Sequence, residues 1–181
     1  MPSDAISKGD TMQTTGTYSE LDGSPVVRFE RTFPHPAPAV WEAITDPEAL
    51  QEWFPTTVEF DRLEQGAPIV FRFADDAYPP MSGEVLELQP PHRFSFTWGD
   101  DRLTFELEPR DGGACRLTFS VALDSADKAA RDAAGWDQCL DMLGVVVDGR
   151  TPQRPAPSDD WRVYYEEYKR LGLPATAPIP D

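Results

Sequence analysis

The chain has 181 residues, 40% of them apolar and 11% aromatic, enough for one domain with a real core and terminal extensions. Its 32 acidic against 16 basic residues give a net charge of −16, which sets the surface against phosphate backbones and anionic lipid and excludes nucleic acid and membranes as expected partners. No basic start leads into an apolar run and no stretch approaches the ~20 apolar residues of a membrane span, so the expectation is a cytoplasmic protein with reduced, buried thiols at Cys115 and Cys139.

Residues 1–24 are polar and without apolar rhythm, and are expected to form a disordered tail ahead of a domain spanning 25–150. In "VVRFERTF", Val27, Phe29 and Phe33 alternate with polar residues, which predicts a strand with one buried face. Val40, Ala43 and Ile44 then fall on one face of a short helix starting near Pro38. Thr45-Asp46-Pro47-Glu48 fits a capping box with Thr45 as N-cap, because Pro47 disfavours a helical Asp46 and is itself suited to a helix start. A second short helix carries Leu50, Trp53 and Phe54 and stops at Pro55.

Beyond Pro55 the apolar period falls to two. Six segments, "TVEFDRL", "PIVFRF", "SGEVLEL", "HRFSFTW", "RLTFELE" and "CRLTFSVAL", read as strands separated by Gly- and Pro-containing turns. Val85 and the pair Leu86/Leu88 point opposite ways, which suggests a bulge. From Ala126 to Val147 the period returns to 3.6, with Ala129, Ala133, Trp136, Leu140, Leu143 and Val147 in one stripe and Asp132, Asp137 and Asp141 off it. Gly135 inside that helix costs about 1 kcal/mol relative to Ala, so a close approach to the sheet is expected there. Residues 151–181 read as a Pro-rich linker, a helix capped by Ser158 with Trp161, Tyr164, Tyr165, Tyr168 and Leu171 on one face, and a loose "ATAPIPD" end.

The fold class expected is α+β: a curved antiparallel sheet of about seven strands wrapped around a long C-terminal helix. Two short helices follow the first strand, and a further helix follows the long one. The segments "RTFPHPAPAVWEAITDPEALQEWF", "GEVLELQPPHRFSFTW" and "GWDQCLDML", in this order, resemble the START-like (SRPBCC, birch-pollen-allergen-like) helix-grip superfamily, and within it the family of homologues of the heat-shock-protein-90 ATPase activator. The resemblance implies a cavity between sheet and long helix, in a fold that hosts lipid carriers, cyclases, hydrolases and co-chaperone pieces. The co-chaperone that names the family carries a separate chaperone-binding N-terminal domain, whereas polar residues 1–24 precede the first predicted strand here, so the resemblance does not carry that activity.

No catalytic motif is present: there is no Gly-x-Ser-x-Gly, and neither cysteine has a histidine near it in sequence. His35 and His92 read as surface histidines. With two cysteines and two histidines lacking zinc-ligand spacing, neither a metal nor a cofactor is expected. Arg31 shares strand phase with Phe29 and Phe33; pointed inward, it needs a carboxylate such as Glu84 or Glu87, an escape to the rim, or an anionic ligand to anchor. The aromatic set either fills a solid core or lines a pocket. Trp136 on the long helix and Trp98 at a strand end are the leading pocket residues, with Trp53, Phe54, Phe71, Phe96, Phe105, Phe119 and Leu140 as further lining. The expected function is binding of a small hydrophobic or aromatic ligand. The alternatives are an enzyme on the same scaffold, or an interaction module that meets a protein partner or a second copy of the chain through its acidic surface or its Tyr-rich final helix.

Overall fold

The computed structural model describes residues 16–153 and 159–179. Eight strands, β1 (Thr17–Leu21), β2 (Ser24–Phe33), β3 (Thr57–Glu59), β4 (Pro68–Arg72), β5 (Met81–Gln89), β6 (Arg93–Trp98), β7 (Asp101–Arg110) and β8 (Ala114–Ala122), form one antiparallel sheet in the order β1-β2-β8-β7-β6-β5-β4-β3. Helices α1 (Ala37–Thr45) and α2 (Pro47–Trp53) follow β2, α3 (Ala129–Val147) crosses the concave face, and α4 (Asp159–Arg170) packs on α3. This is the expected helix-grip arrangement, with one more strand than the sequence patterning indicated.

The extra strand lies inside the segment expected to be a tail, so order begins before residue 25. Strand β1 pairs with β2 from Thr17↔Arg28 to Leu21↔Ser24. The two are joined by Asp22-Gly23, both at positive φ (51° and 79°), a tight turn matched to the twist of a hairpin. Gly16 N–H donates to the Tyr168 hydroxyl at 2.8 Å, and a Cβ on Gly16 would sit 2.6 Å from that oxygen and 2.8 Å from the Phe29 ring. The rest of the expected tail, residues 1–15, and the expected Ser158 cap lie outside the described residues.

The bend between α1 and α2 is built as the sequence demands, with a different cap. Asp46, in an extended conformation, caps α2 by accepting from Glu48 N–H at 3.1 Å, while the Thr45 hydroxyl donates back to Trp41 C=O within α1. Trp53 and Phe54 are both fully buried, and the Trp53 indole N–H donates to Ala43 C=O at 2.9 Å, tying α2 to α1. The bulge expected in the fifth strand is present, as a register shift between Val85 and Glu87.

The core lies between the concave face and the helices and is dominated by stacked and edge-on rings. Phe119 sits 4.5 Å from Phe105 and 5.9 Å from Phe29 between centroids, and Phe54 touches Phe71, Phe96, Trp98 and Trp136 at 5.2–6.1 Å. The convex face carries polar ladders, among them the Arg93 guanidinium shared by Glu87 and Glu106. The segment after α4 is tied down rather than loose. Ala130 N–H donates to Pro174 C=O at 2.9 Å, supplying one of the acceptors that the first turn of α3 lacks, and Ala177 N–H donates to Asp127 C=O at 3.1 Å. Among the described residues no helix is long and apolar enough to cross a membrane.

Candidate functional site: an aromatic cleft at the mouth of the grip

Where the rings end, a cleft of about 510 Å³ opens beside the N-terminal half of α3. This volume is in the range of small-molecule sites. Each wall comes from a different element. The sheet contributes Phe73 after β4, Met81 at the start of β5, and Trp98-Gly99-Asp100-Asp101 around the β6–β7 turn. Helix α3 contributes Arg131, Asp132, Gly135, Trp136 and Cys139, one flank of the helix, and α4 contributes Trp161. Lys128 and Pro55 complete the lining.

Trp98 and Trp136 meet edge-to-face, with centroids 5.8 Å apart and planes at 71°, so the two indoles form a corner. Phe73 lies 6.3 Å from Trp98, and Trp161 is stacked on Tyr165 at 4.9 Å. The expected close approach of Gly135 to the sheet is not what the structure holds. The nearest atom to a Cβ there is the Trp161 Nε1, at 4.0 Å, so the glycine leaves space in the cleft floor beneath the C-terminal helix. Among the described residues the indole N–H groups of Trp98, Trp136 and Trp161 donate no hydrogen bond, in contrast to that of Trp53.

The polar side of the cleft is a carboxylate cluster around one lysine. Lys128 Nζ lies 2.7 Å from Asp101, 2.5 Å from Asp124 and 3.9 Å from Asp132. Burial pushes the Asp101 carboxyl up, against the pull of Lys128 and of the Asp124 N–H that it accepts. Burial opposes the charge on Lys128, but its hydrogen bonds to Asp101 and Asp124 prevail and hold it above the ordinary lysine range. Arg131 pairs with Asp132 at 2.8 Å and donates to Pro178 C=O at 3.0 Å. The carboxylate of Asp100 makes no ion pair or side-chain hydrogen bond among the described residues. Aromatic walls with a polar rim suit the arrangement to holding a flat apolar molecule by its faces and orienting one polar substituent.

Of the ten residues singled out from sequence, the structure places two, Trp98 and Trp136, on the cleft. Trp53, Phe54, Phe71, Phe96, Phe105, Phe119 and Leu140 are buried to within 3% of full and pack against one another or against α3, so they form its backing rather than its surface. Trp136 belongs to both sets. It is 6% exposed, with Phe119 at 5.3 Å and Phe54 at 5.6 Å on its core side.

Arg31 does point inward, but its partners are Asp137 at 2.5 Å and Asp141 at 2.7 Å on α3, not Glu84 or Glu87. Asp137, which lies off the apolar stripe of the long helix, is fully buried because α4 covers that side of α3. The Tyr168 hydroxyl donates to Asp137 Oδ2 and the Tyr164 hydroxyl to Asp141 Oδ2. Arg31, the two aspartates and the two tyrosines thus clamp α4 onto α3 and β2, and hold Trp161 at the cleft from the same helix.

Trp161, Gly135, Met81 and Cys139 were not among the site residues anticipated. Trp161 lines the cleft through a contact with Gly135 more than twenty positions away, which local periodicity does not report. Gly135 was the legible signal: a helix-weakening residue between Ala134 and Trp136 marks a hollow as readily as a close approach. Both cysteines are free and buried, and burial pushes the Cys115 thiol up.

The fold recurs in solved structures. A conserved protein of unknown function from Enterococcus faecalis, EF2215, superposes with a TM-score of 0.71 at 21% identity over 86% of this chain and 89% of its own. CalU16 from Micromonospora echinospora gives 0.64 at 21% identity, over 86% and 94% respectively. DynU16, described as a protein in the dynemicin biosynthetic locus, gives 0.59 at 24% identity over 70% of this chain and 48% of its own. No curated protein sequence matches the chain. The profile of one family matches residues 34–148, from the turn before α1 to the end of α3, and so takes in both helices of the bend, the six strands β3 to β8, and the gripped helix. The chain therefore belongs to the family described as activator of Hsp90 ATPase homolog 1-like proteins, with a helix-grip fold.

Proposed function

We propose that the protein binds a small, largely apolar molecule bearing an aromatic ring in the cleft between the β6–β7 turn, α3 and Trp161. One observation carries this reading. Much of the space between sheet and helix is filled by interlocked rings, whereas beside Gly135 about 510 Å³ is left open and walled by three indoles, a phenyl ring and a methionine. A Cβ at 135 would meet no neighbour closer than 4.0 Å, so alanine would suit both helix propensity and packing, and the hollow is nevertheless left to glycine. The reading draws on the lining, not on the large buried aromatic set expected to form the pocket.

Titration with an uncharged naphthyl alcohol, followed by tryptophan fluorescence and calorimetry, tests this. Saturable binding with one site per chain is expected. Trp161→Ala removes a wall made by a half-buried side chain on α4 and should weaken binding by roughly ten-fold while leaving denaturant unfolding within about 1 kcal/mol. Binding that is indifferent to Trp161→Ala, or absent altogether, would remove the cleft as the ligand site.

A further inference from the structure

We infer that the ligand of this cleft is a cation, an aromatic amine or quaternary ammonium compound, rather than a neutral or acidic molecule. The inference rests on the cleft being the ligand site and adds the charge of the occupant.

The ring surfaces come first. The ring planes of Trp98 and Trp136 stand at 71° to each other, with Phe73 beside Trp98 and Trp161 opposite Gly135. Indoles set at angles around a hollow attract a cation through the negative potential of their faces, and indole is the strongest of the aromatic side chains in this respect. The protein has two cations of its own in the same lining, Lys128 and Arg131, and places neither over an indole. Among the described residues the one cation set over a ring is Lys169, 5.3 Å from the Tyr165 centroid on α4. Lys128 is turned onto Asp101, Asp124 and Asp132, and Arg131 onto Asp132 and the Pro178 carbonyl.

The charge balance comes second. In the lining, Asp100, Asp101 and Asp132 set three carboxylates against Lys128 and Arg131, and both basic groups are already engaged by carboxylates, Lys128 also by Asp124 outside the lining. An acidic ligand therefore meets no uncommitted cation, and it must approach through the field of a chain with net charge −16. A cationic ligand meets three indole rings and, at the turn next to Trp98, the Asp100 carboxylate without a partner among the described residues.

The test uses the full chain and three ligands of one shape: naphthylmethyl-trimethylammonium, naphthylmethanol and naphthylacetate. Each is titrated at low and high salt. The ammonium compound should bind roughly ten-fold tighter than the alcohol, the acetate should bind weakest, and the ammonium advantage should shrink in high salt. Asp100→Asn should reduce the ratio of ammonium to alcohol affinity a few-fold. If the alcohol binds as tightly as the ammonium compound, or the acetate binds tightest, the charge inference is wrong while the aromatic cleft stands. If none of the three binds, the cleft reading fails with it.

Discussion

Tyr168 shows how much one side chain carries in this protein. Its ring is fully buried, its hydroxyl donates to the buried Asp137 carboxylate, and the same oxygen accepts from Gly16 N–H at the start of β1. Removing that oxygen leaves a buried carboxylate oxygen short of a donor and a backbone donor short of an acceptor. Tyr168→Phe should therefore cost about 1–3 kcal/mol in denaturant unfolding. Burial, then the neighbouring Asp137 charge, pushes the Tyr168 phenol well above its ordinary value, and burial with the Asp141 hydrogen bond does the same for Tyr164. Both phenols are thus raised in the folded state. The stability they contribute is complete below the ordinary phenol pKa of about 10 and is lost as the pH rises above it, because only the unfolded chain can ionise there. Phenolate absorbance should show these two tyrosines ionising together with unfolding, not ahead of it. Ionisation of all tyrosines near pH ~10 with the fold intact would contradict the clamp.

Trp136 is the residue whose reading changes most. On sequence it is, with Trp98, a leading residue for a ligand wall. With Phe54, Trp98 and Phe119 all within 5.8 Å, it is mainly a core ring that also borders the cleft. Trp136→Ala should cost about 3–5 kcal/mol, as buried aromatic truncations do, and is a poorer probe of binding than Trp161→Ala.

At the scale of elements, the strands and helices with strong periodicity were legible in the sequence. The alternation in β2 and β6–β8, the 3.6 period of α3 and the break at Asp46-Pro47 all reflect one buried face per element, which a sequence shows directly. Strand β1 was missed because "TYSEL" buries little: its residues are exposed or half-buried, and an edge strand on a wet hairpin has no apolar rhythm to display. The Asp22-Gly23 pair was the available sign. The expectation of a disordered tail over residues 1–24 changes accordingly. Deleting them removes a paired strand and the Gly16 bond to Tyr168, and should lower the melting temperature by about 5 °C or more. An unchanged melting temperature would show that β1 contributes nothing to the sheet. The cleft was harder to foresee for a related reason. Its walls come from six separated segments, and α4 reaches it through side-chain hydrogen bonds to α3 that no local pattern encodes.

At the scale of the molecule, the sheet, the gripped helix and the C-terminal helix divide the work. The sheet and α3 bury a continuous ring-packed core, and α4 together with residues 173–177 closes over the α3 face that carries Asp137. The site lies at a boundary where all three meet without filling the space. The most direct test is an indole N–H NMR titration with naphthylmethanol, because the five tryptophans report five distinct places. The resonances of Trp98, Trp136 and Trp161 should shift together along one binding curve, while Trp53, hydrogen-bonded to Ala43 in the core, and Trp41, packed on Phe94 away from the cleft, should stay in place. Shifts confined to Trp41 or Trp53, or no shift at saturating ligand, would contradict the account.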